Sequence, residues 1–491
     1  LPQADLTISI IPALIVLSPL LGAGLTFLAD RYQSRLRNAT VIAGVLIPLL
    51  MTAYMYMVFQ HQGVLYFKLN ILPPTGLEFR VDSLSMYMTL LFTFFALVIT
   101  VYTLGYYRDK EDGKVFFYIL LLALGGCFGV VLSGNMFTFF LFFEFMSLMF
   151  FPMVAYKSTP ESSAAGLKFF YMTIIAGVAM FWAVVVTYLD TGSTSFGAGG
   201  LFTSVSPLIF SAFICYLIAL GIKSAMIPLH IWMADAYAAA PTPAATVSSA
   251  IMLKTGIVGI IRVIHDLYGL SYIQDVGWNN ILLVLAIIGM LYGSVCAFAQ
   301  DDLNRRLAYS GVAQIGYILL GISLLNELAL VGAVYHIMAH AFMKGSLFLC
   351  AGVIYVNTGK TKISEMQGIG LQMPIIMLCF TIAAVSSVGI PPLNLFVSKW
   401  HLGLGAFEVG MPWVIAVLIT SSLLNASYYF PISINAFLGC RELKNIERKR
   451  LRFQPLRIIP VIILALGAFI FTIAPFNWPL DLARNVAQLF F

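Results

Sequence analysis

About fourteen apolar stretches of about 20 residues run along the chain with short polar interruptions, and that is the length an α-helix needs to cross hydrocarbon. They centre near residues 18, 49, 94, 124, 146, 177, 218, 255, 288, 315, 342, 385, 425 and 467. The pattern predicts an all-α polytopic protein of the cell (cytoplasmic or inner) membrane. Only the segments near 61–81, 190–206 and 357–373 exceed a simple turn, so no separate soluble domain is expected. The first run, Ile8 to Leu28, is too long for the h-region of a signal peptide and has no small-residue cleavage site after it.

Proline interrupts three of these stretches. Pro228 follows Lys223, Pro241 and Pro243 precede Lys254, and Pro391 and Pro392 precede Lys399. Proline removes a backbone donor and kinks a helix, and in lipid the freed carbonyls must face protein or water. Paired breaks near the midplane are a mark of transporters built from inverted repeats. The breaks at 228 and 391 suggest two inverted five-helix units, residues 115–270 and 278–440. Three helices over 1–114 would precede them, and a basic loop with a last helix, 441–491, would follow.

Composition sharpens this picture. The 491 residues are 60% hydrophobic and 10% charged, against about 25% charged in a soluble domain. Five ionisable residues nevertheless lie inside apolar stretches: Glu144, Lys223, Lys254, Lys344 and Lys399. Each costs at least about 2.5–3.5 kcal/mol at the bilayer centre, so together they point to charge movement across a membrane. The cysteines (Cys127, Cys215, Cys296, Cys350, Cys379 and Cys440) are scattered without a C-x-x-C pair. No iron–sulfur, zinc or other cofactor site is expected, and any redox chemistry belongs to a partner.

The net charge of +6 informs through its distribution. One set of loops carries Arg31, Arg35 and Arg37; Arg108, Lys110 and Lys114; Lys157; Arg305 and Arg306; Lys360 and Lys362; and the cluster from Arg441 to Arg457. The opposite set holds Lys68, Arg80 and Arg484. The positive-inside rule places the first set in the cytoplasm and both termini outside. The basic run Glu447–Phe453 reads as a topology anchor against anionic lipid.

Glu144, in a segment with no other ionisable group, is expected to pair with Lys223, either as a structural ion pair or as a switch that loads and releases a proton. His336, His340 and Lys344 recur at i, i+4 and i+8, a stripe climbing about 12 Å and drifting about 80°. Imidazoles that titrate near neutral pH suit a proton relay; the rival reading is hydrogen-bonded packing. Lys254 follows the small-residue run ATVSSA, and Lys399 is either an exit group or snorkels to the interface. Arg262 and His265, near a helix end, are expected to snorkel. His230 and Asp235 either line a half-channel or cap a broken helix.

Five stretches carry a family resemblance: FFEFMSL around Glu144, Ile227–Gly256, Arg305–Gly321, His336–Gly352, and GIPPLNLFVSKW. They resemble the antiporter-like subunits of the respiratory complex I superfamily, which includes the corresponding component of Mrp Na⁺/H⁺ antiporters and membrane subunits of energy-converting hydrogenases. The resemblance implies Glu144 and Lys223 as a switchable pair, Lys254 as the central lysine, His336 and His340 as the link between half-channels, and Lys399 as the terminal group. Lys344 would lie beside that relay. Where many relatives have glycine before the Phe of the last motif, this chain has Leu395 before Phe396. The implied function is proton translocation within a multisubunit membrane complex, with a component of a multisubunit Na⁺/H⁺ antiporter as the alternative. The implied partners are other membrane subunits, a peripheral redox arm in the redox-driven case, H⁺ (with Na⁺ in the antiporter case) and the lipid bilayer, but no nucleic acid. A solute transporter would need a cluster of polar specificity groups, and a mere scaffold would not retain five buried charges.

Overall fold

The computed structural model describes residues 6–71, 75–108, 113–197, 199–439, 454–473 and 475–491. Lys110, Cys440, the basic cluster up to Arg452 and the run Glu447–Phe453 lie outside them.

Each of the fourteen expected centres falls within a helix. Among the described residues, eleven helices are long and apolar enough to cross a membrane. Leu303–Ser323 opens on Arg305 and Arg306, while Pro374–Val388 and Pro455–Ile470 are shorter apolar helices. The termini follow from local chemistry. Asn135, Thr159, Asp302 and Asn326 each accept a hydrogen bond from a first-turn backbone N–H, satisfying donors that no helix can pair internally.

The fold is a helical membrane fold with one departure from all-α among the described residues. Part of the 61–81 connection forms an antiparallel hairpin, Leu65–Leu69 with Leu77–Val81, and Thr7–Ile8 adds a parallel strand. Two helices, Thr242–Tyr268 and Glu327–Thr358, are buried along the whole of their most apolar stretch. Helices such as Ile11–Asp30 and Trp413–Leu438 instead leave large apolar side chains exposed, as hydrocarbon permits. The two buried helices are therefore the axis of the molecule, and they carry Lys254, His336, His340 and Lys344.

Two of the three expected breaks lie within the bundle. Helix Pro207–Ser224 stops at Ala225, whose φ is 57°, and a 3₁₀ turn Leu229–Trp232 leads into Met233–Ala239. Helix Pro374–Val388 stops at Gly389, φ 87°, and the chain resumes helically at Asn394–Glu408. The third expectation is corrected. Pro241 and Pro243 stand at the start of the Thr242–Tyr268 span, where the missing N–H of a proline costs nothing. The irregularity near Lys254 comes from a π-helical segment, Ser248–Met252.

Candidate functional site

The broken helices leave unpaired carbonyls, which Lys399 answers at the second break and Trp232 at the first. At the second break the Lys399 amine donates to the carbonyls of Ser387 and Val388 (3.0 and 2.9 Å) and to Ser422 Oγ (2.8 Å), and it lies 4.7 Å from the Tyr317 ring centroid. Lys399 is thus tied inward and does not snorkel. At the first break the Ile222 carbonyl takes the Trp232 indole N–H at 2.8 Å, and Lys223 occupies the last helical turn.

The Lys223 amine donates to Ser147 Oγ and sits between the rings of Phe143 and Phe169, 5.0 and 5.1 Å from their centroids. Ser147 is one turn beyond Glu144 on helix Met136–Val154. Among the described residues no ion pair joins Lys223 to Glu144. The carboxylate instead rests on Gly177 of helix Pro160–Thr191: a Cβ there would stand 2.8 Å from Glu144 Oε2 and 2.9 Å from Cδ and Oε1. Glu144 Oε1 has no hydrogen-bond partner. The expected contact between Glu144 and Lys223 is not made here; Ser147 holds the ammonium instead.

A π-helical turn exposes a carbonyl and is frequent at functional sites. Here the Lys254 amine reaches the Ser249 carbonyl of that turn and lies 2.9 Å from His340 Nδ1. His340 Nε2 has no protein partner, and its ring centroid is 6.4 Å from that of His336. His336 is fixed at both nitrogens, by Ser398 Oγ at 2.9 Å and Gln314 Oε1 at 3.0 Å, and stacks on Tyr317 at 5.3 Å. Tyr317 therefore touches both His336 and Lys399. A row runs from Lys254 through His340, His336 and Tyr317 to Lys399.

Lys344 departs from this row. It is fully buried and donates to the Leu307 carbonyl (2.7 Å), Ser310 Oγ and Tyr429 OH (3.1 Å). The i, i+4, i+8 stripe thus divides: the histidines face the row, and the lysine faces helices Leu303–Ser323 and Trp413–Leu438.

His230 and Asp235 also separate. The His230 ring packs edge-on against Tyr292 and Tyr309, at 5.5 and 6.1 Å. Asp235 bridges Lys168 (2.7 Å) and Arg305 (2.8 Å) beside a cavity of about 440 Å³. It caps no helix; it ties together three helices from the two halves of the chain.

The snorkelling expected of Arg262 and His265 is overturned. Arg262 is 1% exposed and grips Asp82 with both terminal nitrogens (2.7 and 2.8 Å), Asp266 at 2.9 Å and Ser85 Oγ at 2.9 Å. Two carboxylates inside the protein remove any need to reach water. His265 is buried against the ring of Phe490, 4.5 Å between centroids. Reading the sequence missed Asp82 and Asp266, and it missed the polar partners Ser147, Gln314, Tyr317, Ser398 and Ser422. The signal for Gln314 and Tyr317 was present, as two polar groups in the otherwise apolar run of helix Leu303–Ser323.

Comparison with known proteins places these features. Residues 133–425 match the family model described as NADH:quinone oxidoreductase/Mrp antiporter, TM. Residues 74–117 match NADH-Ubiquinone oxidoreductase (complex I), chain 5 N-terminus. The NADH-quinone oxidoreductase subunit N of Desulforudis audaxviator is 35% identical over 421 residues, covering 81% of this chain and 82% of that protein. Two solved structures share the fold at a TM-score of 0.87, with 22% identity and 98% of each chain covered: one from the membrane-bound sulfane sulfur reductase, an archaeal respiratory membrane complex, the other from the Mrp complex of Dietzia sp. DQ12-45-1b.

Proposed function

The chain belongs to the NADH:quinone oxidoreductase/Mrp antiporter transmembrane family, and from that premise we propose that it is a proton-translocating membrane subunit of a multisubunit respiratory or hydrogenase-type complex. The observation that carries the reading is the row of polar groups that runs from Lys254 through His340, His336 and Tyr317 to Lys399 along the buried axis of the bundle. The similar subunit N of an NADH-quinone oxidoreductase favours a redox-driven complex; the Mrp-like fold supports a Na⁺/H⁺ antiporter as the second reading.

In this proposal residues 115–270 and 278–440 form two inverted five-helix repeats, each with a half-channel ending at a broken helix. Both termini lie on the extracytoplasmic side. A proton enters from the cytoplasm at Lys223, whose hold on the charge depends on whether Glu144 has closed on it. It passes to Lys254, whose ammonium donates to His340 Nδ1. His340 Nε2 has no protein partner and is the nitrogen left to pass the proton on toward His336, whose ring centroid lies 6.4 Å from that of His340. His336, oriented by Gln314 and Ser398, delivers the proton to Lys399, the exit group cradled by the carbonyls of the second break.

Each charge moved opposes about 2.3 kcal/mol per 100 mV, which this chain does not generate, so the driving force comes through its partners. Lys223→Ala is expected to abolish translocation, read with a pH-sensitive dye in inverted membrane vesicles, while leaving the complex assembled. Wild-type translocation in that variant would overturn the relay.

A further inference from the structure

A second site lies away from this row, at one end of the first three helices. We propose that the cleft between the start of helix Ser34–Gln62 and the end of helix Ser83–Tyr106 binds one anionic glycerophospholipid, phosphate on the arginine rim and an acyl chain along the apolar wall. The cleft has a volume of about 920 Å³ and is lined by Arg35, Arg37 and Arg108 at its rim and by Ile42, Leu46 and Leu104 below. A site of this size holds a drug-sized or larger ligand, and its polarity is graded along one axis as a phospholipid's is.

The charge balance of the rim supports an anion. Arg37 is already neutralised by Asp30 at 3.1 Å and is steadied over the Phe117 ring, 5.4 Å from its centroid. Arg35 and Arg108 are exposed, and neither makes an ion pair among the described residues. All three arginines lie at the same membrane face, the one the charge distribution assigns to the cytoplasm, where anionic lipids give the surface its negative potential. Basic pockets between spans on the cytoplasmic side are recognised lipid-headgroup seats. The apolar wall is what a free phosphate ion would not need.

The test is native mass spectrometry of the chain purified with its membrane partners and washed into detergent carrying dioleoyl phosphatidylglycerol or dioleoyl phosphatidylcholine. One phosphatidylglycerol is expected to stay bound where phosphatidylcholine does not. Arg35→Gln with Arg108→Gln is expected to weaken retention about 25-fold, about fivefold per arginine. Ala43→Trp, which fills the apolar part and leaves every charge in place, is expected to abolish retention even if the arginine variant misassembles. Equal retention of the two lipids, or retention unchanged in Ala43→Trp, would overturn the site; so would displacement by inorganic phosphate alone. A partner segment seated in the cleft would give no lipid in the wild type, which also refutes the proposal.

Discussion

The absence of a side chain at Gly177 determines where the Glu144 carboxylate can lie, so Gly177→Ala is a direct perturbation of the proposed switch. The new Cβ would meet three carboxylate atoms at 2.8–2.9 Å, where ordinary contact begins at 3.4 Å. The carboxylate must therefore withdraw by about 0.6 Å, and because it ends a flexible side chain the move costs less than the roughly 1–3 kcal/mol of overpacking a rigid core. A shift of this size in a charge-transfer geometry is expected to slow translocation about tenfold or more, given that a 1 Å misplacement can cost about 100-fold. The readout is the initial rate of acidification in inverted vesicles, normalised to the amount of assembled complex.

A thermal-melting cycle separates this mechanism from a general packing defect. In a Glu144→Ala background the three atoms nearest the new methyl are gone, so Gly177→Ala should then cost less. The expected coupling between the two sites is about 0.5–1 kcal/mol, above the few tenths that independent sites show. Additive melting losses, or an unchanged rate in Gly177→Ala alone, would refute the contact as the cause.

Other expectations follow from the same geometry. Arg262→Met leaves Asp266 buried without its cation and Asp82 with only Arg80 at 3.6 Å, and is expected to destabilise the chain by about 3–5 kcal/mol, read as a lower melting temperature in detergent. Burial alone would raise the Asp82 carboxyl, but the Arg262 guanidinium, assisted by Arg80 and the Ser85 N–H, holds it well below the usual carboxylate range. Its stabilisation is therefore complete above its unfolded pKa, about 4, and is lost as pH falls through the lower folded value; Asp82→Asn should remove that acid-dependent loss of melting temperature. His336→Gln should block translocation while sparing assembly, because only an imidazole among these partners can both accept and release a proton near neutral pH; a pumping His336→Gln variant would exclude the second histidine from the route.

The ionisable members of the row were legible in the sequence because hydrocarbon penalises them, so each stands out in an apolar run. Their partners were not. Ser147, Ser398 and Ser422 cost little in a helix, and nothing local distinguishes a serine that holds an ammonium from one bonded to its own backbone. Arg262 was misread for a different reason. Its main partner, Asp82, is 180 residues earlier and just outside an apolar stretch, so the arginine looked unpaired near a helix end. The hairpin at 65–81 escaped for want of length: two five-residue strands within a connection leave too short a pattern to separate from a loop. The helices were easier because a span must satisfy its backbone within itself, which makes the local sequence sufficient.

Lys344 shows where pattern and partners disagree, and it yields a discriminating experiment. By composition and spacing it equals Lys254: both are lysines in buried helices, and it extends the histidine stripe by one turn. An ammonium has three donors. Those of Lys344 are engaged by a carbonyl, a serine and a tyrosine, and Ser310 and Tyr429 are themselves hydrogen-bonded to each other at 2.8 Å. None of these acceptors takes up a proton near neutral pH. Lys254 has an imidazole as one of its partners, and that imidazole can take the proton onward. Lys344→Met should therefore lower stability by about 1–3 kcal/mol, the cost of stranding buried acceptors, and slow translocation without abolishing it. Lys254→Met should abolish translocation outright. Assembled complexes in which Lys344→Met is as inactive as Lys254→Met would place Lys344 on the obligatory route and would require a proton path through Ser310 and Tyr429.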